Sequence, residues 1–185
     1  MYTVVKSKSD GILTGQKIHL RALEPADIDL LYDWENDPSI WHLGNILTPF
    51  SRFVLEQYLL NAQNDIFTNK QLRLMIDLND SLGAAETIGS IDLFDFDPFN
   101  RRVGVGILIT NPHRHKGYAS EALGLLKNYV FILLDLHQLY CNIDASNGKS
   151  LALFMKSGFV ICGEKKDWLW QNKSWHNELI LQCFS

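Results

Sequence analysis

The segment NPHRHKGYASEALGLLKNYV, residues 111–130, sets a proline, two histidines, an arginine, a lysine and a glycine directly ahead of an amphipathic helical pattern. The first N–H groups of a helix lack intrahelical partners and carry the positive end of its dipole. A glycine at the entry lets a ligand approach the backbone, and Arg114 and Lys116 add charge, so the chemistry on offer is the grip of a phosphate. Spacing alone leaves a second reading open, in which Gly117 makes a plain turn and the basic side chains are solvated.

A second reactive place is SIDLFDFD, residues 90–97. Aspartates inside a strand are disfavoured by propensity and by desolvation, and perturbed carboxylates gather at functional sites. Asp92 and Asp95 are therefore candidate catalytic bases. Three residues apart, they leave opposite faces of a regular strand, so only one reaches a given cleft unless a bulge intervenes. The alternative is an outer face that is simply wet. Asp144, closing CNID, can bind a cation or cap the next helix. Trp34, Trp41, Trp168 and Trp170 can wall a ligand cleft, although aromatics at such spacings also fill cores. The stretch 34–46 is the loop expected beside it, on the acceptor side by the family resemblance given below.

These groups need a frame. QKIHLRAL (16–23) alternates apolar and polar residues, the period of a half-buried strand. EPADIDLLYDWEND reads as a helix with Pro25 near its first turn and Ile28, Leu31 and Trp34 on one face, stopped at Asp37-Pro38. SRFVLEQYLLNAQND gives a second helical face through Phe53, Val54, Tyr58 and Asn61. Residues 71–78, 87–96 and 102–110 read as three strands joined by short turns (NDSLGAAE, DPFN), hence antiparallel. A helix over 119–134 follows, with Ala119, Leu123, Leu126, Tyr129, Val130 and Leu133 inward. Then come a strand over 137–144, a helix over 146–159 ended by Gly158, and a hairpin over 167–184 turning at Gln171–Ser174. The order implies an α+β sheet with helices on its faces.

Composition bounds the rest. A chain of 185 residues, 46% hydrophobic and 21% charged, is expected to form one domain, with residues 1–15 loosely attached. The net charge of -4 argues against a general nucleic-acid binder and against an RNA-associated ribosomal factor. Cys141, Cys162 and Cys183 show no C-x-x-C pair, so neither a metal site nor a disulfide framework is expected. The N-terminus lacks the apolar core of a signal peptide, and YVFILLDL is too short to span a bilayer; a cytoplasmic protein without membrane partners is the expectation.

The motif R-x-x-G-x-A, following a strand and opening a helix, resembles the acetyl-CoA pyrophosphate loop of the GNAT superfamily of N-acetyltransferases. IHLRALEPADIDLLYDWENDP resembles the opening of the branch that holds ribosomal-protein N-terminal and spermidine/diamine acetyltransferases. SNGKSLALFMKSGF (146–159) resembles its later motif, and the likeness covers roughly residues 16–183. It implies a GNAT fold, a mixed, mostly antiparallel sheet flanked by helices, with acetyl-CoA as cosubstrate in a cleft at the splayed central strands.

By this resemblance the main chain of Leu108, Ile109 and Thr110 pairs with the pantetheine arm. Arg114, His115, Lys116, Gly117, Tyr118, Ala119 and Ser120 hold the pyrophosphate. Asn147 contacts the cofactor near the thioester and Lys156 near the nucleotide; their plain alternatives are a helix-end polar residue and a surface lysine. Phe154 departs from the pattern, occupying the place where many relatives carry the tyrosine that protonates the departing thiolate. Tyr140, Cys141 and a bound water are the substitutes on offer. The implied activity is acetyl transfer to a primary amine, with a small diamine or polyamine such as spermidine first and a protein N-terminus second; a non-catalytic acyl-CoA-binding domain is the remaining alternative. SIWHLGNILTPF lacks the acidic residues of the polyamine-binding relatives, which counts against spermidine. A homo-dimer fits the family.

Overall fold

The computed structural model describes residues 11–41, 47–79 and 85–185. Its frame is a seven-stranded mixed sheet in the order β1-β2-β3-β4-β5-β7-β6. The strands are β1 (Ile18–Ala22), β2 (Leu72–Leu78), β3 (Thr87–Asp97), β4 (Arg102–Ile109), β5 (Gln138–Asp144), β6 (Val160–Gln171) and β7 (Ser174–Phe184). Every pairing is antiparallel except β4 with β5. Helices α1 (Ile28–Glu35), α2 (Arg52–Asn61) and α3 (Ile66–Asn69) lie between β1 and β2; α4 (Tyr118–Asn128) follows β4, and α5 (Gly148–Lys156) follows β5. This is the α+β arrangement that the strand and helix periods imply.

Alternation along the strands sorts the two faces. Ile91 and Leu93 of β3, Val103 and Val105 of β4, and Leu139, Cys141 and Ile143 of β5 join one buried cluster with Ala122, Leu123 and Leu126 of α4 and Phe154 of α5. Truncating a leucine such as Leu126 to alanine would cost about 2–5 kcal/mol by leaving a cavity.

Several expectations meet local chemistry that residue type does not signal. In α2 the buried residue is Leu55, while Phe53 and Val54 are exposed; the helix rests its next residue on the frame and leaves these two apolar side chains at the rim. After α4 the chain makes a π-turn over Tyr129–Leu133. The extra residue in that turn rotates the following side chains, so Leu133 faces solvent and Leu136 is buried. Strand β6 starts at Val160, earlier than the hairpin read from sequence, and the Asn172-Lys173 turn has φ of +50° and +61°, as expected of a tight right-twisted hairpin. Of residues 1–15, expected to be loosely attached, 1–10 lie outside the described residues. Leu13 and Gly15 instead hydrogen bond back to β1. Gly15 lies so close to Glu121 of α4 that a Cβ there would collide with its carboxylate. Residues 80–84 of the β2–β3 turn also lie outside the described residues. No described helix is long and apolar enough to cross a membrane.

Candidate active site

The phosphate-gripping loop has a definite conformation. Thr110 ends the sheet with its N–H on Ile88 O, and a 3-10 turn over Asn111–His113 leads to Arg114. His115 (φ +64°) and Gly117 (φ +89°) are both left-handed, and Gly117 is the N-cap of α4. A side chain at Gly117 would be strained whatever the space around it. No side chain caps this helix end, so its first N–H groups stand free to meet an anion. Glu121, the acid of the first turn, is turned aside, accepting the main-chain N–H of Lys17 at 2.9 Å. Lys17 Nζ donates to Lys116 O at 3.2 Å and so adds a cation beside the loop that sequence reasoning missed. His115, Lys116 and Ser120 are exposed around the same turn, with Tyr118 and Ala119 half-buried. Arg114 donates Nε to Ile109 O at 2.9 Å, which spends part of its guanidinium on the end of β4.

Below this loop the sheet opens. β4 and β5 pair only over Arg102–Gly104 with Gln138–Tyr140, and beyond that point they diverge. Because antiparallel partners alternate, and Thr110 N–H is given to Ile88, the main-chain groups of Leu108 and Thr110 point to β3; those of Ile107 and Ile109 point into the opening. Of the three residues expected to pair with an extended ligand, only Ile109 turns its backbone that way, and Ile107 is its natural companion.

The opening is a cavity of about 700 Å³ lined in part by Val105, Gly106, Ile107, Arg114, Cys141 and Phe154. Phe154 is buried and meets Phe159 edge-on at 5.0 Å, so it offers no proton. Burial pushes the Cys141 thiol up to about 12. Asn147 also borders the cavity, yet its side chain accepts Ser150 N–H at 3.1 Å as the N-cap of α5. Lys156 is exposed in the last turn of α5 and does not border the cavity. At the far wall stand Asp144, His176 and Glu178.

A second cavity, about 520 Å³, lies between α1, α2 and the outer face of β2–β4. It shares Ile40, Gly106 and Ile107 with the first, so the two meet where β4 leaves β5. Its floor is charged. Arg73 of β2 donates to Asp92 Oδ1 at 2.6 Å and to Glu35 Oε1 at 2.5 Å, and its guanidinium lies 5.5 Å from the Tyr58 ring centre. Burial works against the charge on Arg73, but Asp92 and Glu35 outweigh it and hold the guanidinium charged. Burial also pushes the Asp92 carboxyl above its ordinary range, with Arg73 opposing and Glu35 adding to the shift. Two carboxylates thus share one guanidinium beneath a cavity walled by Trp34, Phe50 and Tyr58, a setting for a cationic, partly aliphatic group.

Asp92 and Asp95 part company here. The register of β3 on β4 breaks between Phe94 and Asp97, a bulge with Asp95 at φ +50°. Asp95 is exposed and 3.4 Å from the Tyr140 hydroxyl, outside the walls of both cavities. Burial, then Asp95, raises Tyr140, a poor proton donor facing away from the opening. Trp34 borders the second cavity and Trp41 donates Nε1 to Glu35 O at 2.8 Å. Trp168 and Trp170 are exposed on β6 and border neither cavity. Residues 42–46 of the expected acceptor loop lie outside the described residues. Glu35, Arg73 and His176 had no sequence signal, since each acquires a charged partner from an element distant in the chain, and Tyr58 showed only as part of a helical face. Among the described residues no group of three or more His, Cys, Asp or Glu is placed to hold a metal ion.

Comparison with known proteins bears on this arrangement. The family model described as an acetyltransferase (GNAT) domain matches residues 17–160. The chain is 25% identical over 171 residues to spermidine N(1)-acetyltransferase of Escherichia coli (strain K12), covering 92% of this chain and 88% of the relative. Among solved structures, spermidine N-acetyltransferase from Vibrio cholerae in complex with CoA and spermine superposes with a TM-score of 0.80 at 23% identity, over 90% of this chain and 95% of that one. A dodecameric structure of the Vibrio cholerae enzyme gives a TM-score of 0.74 at 25% identity, over 90% and 93%.

Proposed function

The chain belongs to the GNAT acetyltransferase family, and on that premise we propose that it moves an acetyl group from acetyl-CoA to a primary amine of a small diamine or polyamine. The observation that carries this reading is the meeting of the two cavities at Gly106 and Ile107, one bordered by Arg114 of the loop that leads to a free helix N-terminus and the other floored by two carboxylates around one guanidinium. The first suits a pyrophosphate above an extended arm; the second suits an ammonium-bearing chain.

In this reading the loop from Arg114 to Ser120, with Lys17, holds the phosphates, and the backbone of Ile107 and Ile109 lies along the arm. Asp92 and Glu35 hold the acceptor. An aliphatic amine with a pKa near ~10.4 is protonated at neutral pH by roughly three orders of magnitude, so it must lose a proton before its lone pair attacks the thioester carbonyl. The main-chain N–H of Ile107, turned into the opening, is placed to steady the oxyanion. Cys141, with its thiol pushed up to about 12, is a weaker acid than a CoA thiol near ~8.5, so protonating the leaving thiolate from Cys141 runs uphill. With Phe154 unable to donate, the thiolate leaves as an anion and takes its proton from water, a slower but passable step.

A protein N-terminus brings only the amine that reacts and a peptide chain, with no second cation for a cluster whose two carboxylates outnumber its one guanidinium, so the small polycation is the better fit. Assembly of several copies also belongs to this reading, supported by the dodecameric relative. The test is CoA-thiol release from acetyl-CoA across diamines, polyamines and short peptides with free N-termini. Release with the polyamines supports the proposal; release with peptides alone would overturn it.

A further inference from the structure

Acetyl transfer to an ammonium acceptor has a proton left over. Three N–H protons enter, the C–N bond forms and the C–S bond breaks, the amide keeps one proton, and a second replaces the one that water gives to the CoA thiolate. The third must leave the cleft.

Among the described titratable groups bordering the larger cavity, three are poorly suited to carry it. Arg114 is a permanent cation bonded to Ile109 O, and Cys141 holds its proton up to about 12. Glu178 is buried and tied to Lys165 of β6 at 2.7 Å. Asp144 accepts Ser146 N–H on Oδ1 at 2.7 Å, and hydrogen bonds from Ser146, outweighing the cost of burial, hold its carboxyl below the ordinary range. A proton reaching Asp144 therefore passes on instead of resting there.

It has somewhere to go. Asp144 Oδ2 lies 3.4 Å from His176 Nδ1, and His176 Nε2 lies 2.9 Å from Ser174 Oγ. Exposure rises along this row, from 13% for the Asp144 side chain to 24% for His176 and on to exposed Ser174 at the hairpin. Ser174 Oγ also lies 3.0 Å from Gln171 O, an acceptor for its one hydroxyl hydrogen that leaves Oγ open to a donor from His176 Nε2.

We propose that Asp144, His176 and Ser174 form a proton-exit relay from the acyl-transfer cleft to solvent, with His176 receiving at Nδ1 and releasing from Nε2. The relay rests on the acyltransferase reading above. Asp144 and His176 both border the cleft, and Ser174 acts through His176. Imidazole suits the task because it is the side chain whose charge ordinarily changes between pH 5 and 8.

The test has two arms. His176→Ala is assayed by CoA release with whichever amine or peptide the wild type accepts. The expectation is a fall in kcat of about ten-fold or more, KM values within about two-fold, and recovery of turnover when imidazole is added to the buffer. An unchanged kcat, or a loss that imidazole does not restore in a variant of unchanged Tm, would overturn the relay. The second arm needs no acceptor: ¹⁵N NMR of the His176 ring in the wild-type protein is expected to show Nδ1 gaining a proton between pH 8 and 5 while Nε2 stays protonated, with a profile altered by Asp144→Asn. A ring locked in one state across that range overturns the relay. A wild type that accepts peptides alone would sink the polyamine reading and leave the relay standing.

Discussion

Two arginine–carboxylate clusters stand on neighbouring strands and do opposite things. In β1, Arg21 gives Nε to Asp77 at 2.6 Å, a forked pair of bonds to Asp27 at 2.7 and 2.8 Å, and its remaining N–H groups to Ala22 O and Thr87. Asp27 and Asp77 are buried. Burial alone would raise Asp27, but Arg21 and the Glu24 N–H outweigh it and hold the carboxyl below its usual range. In β2, Arg73 serves Asp92 and Glu35 with fewer bonds, a cavity lies above, and Asp92 is pushed the other way. The same three charges thus make a clamp when every donor is spent and the carboxylates are buried, and, in the function proposed here, a receptor when the guanidinium makes fewer bonds and a cavity lies above it. The comparison also shows why a buried ion pair by itself says little about function.

The largest expected break in this comparison is Arg21→Met. It leaves two buried carboxylates without their cation and should cost about 3–5 kcal/mol in urea unfolding, enough to threaten folding. A cost within about 0.5 kcal/mol would show the cluster to be no clamp. Next is Asp92→Asn, for which we expect a fall in kcat/KM for a polyamine of about ten-fold or more, with a stability change within roughly 1 kcal/mol. A stability loss matching that of Arg21→Met, with normal kinetics in the surviving fraction, would erase the distinction.

The opposite pKa shifts sharpen it further. Asp27, lower in the folded state, contributes stability that is present above its unfolded pKa of ~3.9 and lost as pH falls through the folded value. Asp92, higher when folded, weighs against folding at neutral pH, and that weight lifts as pH falls through its folded value. The stability difference between wild type and Asp27→Asn should therefore shrink on acidification, and that for Asp92→Asn should move in the other direction. Parallel trends would contradict the assignment. The smallest effect is the control: Arg52→Ala removes an exposed 2.7 Å pair with Asp29 on the helical rim, and its urea midpoint should match that of the wild type.

Much of this was legible in the chain. Strands 72–78, 87–97 and 102–109 show their period because apolar side chains alternate, and the loop at Gly117 shows because a left-handed helix entry demands glycine next to basic residues. Asp92 stood out because an aspartate costs energy inside a strand. The rest depends on contacts between distant elements. Glu35, Arg73 and Asp92 come from a helix and two strands, and only the register of β2 on β3, which sets Arg73 opposite Asp92, brings them together. The Asp95 bulge and the π-turn at Tyr129 carry no residue-type mark, and each changed which side chain faces inward. His176 was unreadable because its partner Asp144 lies one strand away and its other contact, Ser174, is fixed by the hairpin turn.

The central claim is that the open cluster reads a second positive charge on the acceptor. The most direct measurement is kcat/KM for a diamine and for an alkyl monoamine of the same chain length, in wild type and in the Glu35→Gln, Asp92→Asn double variant. The account predicts a preference for the diamine of about ten-fold or more that collapses in the double variant. Equal values for the two amines in the wild type, or a preference that survives loss of both carboxylates, would contradict it.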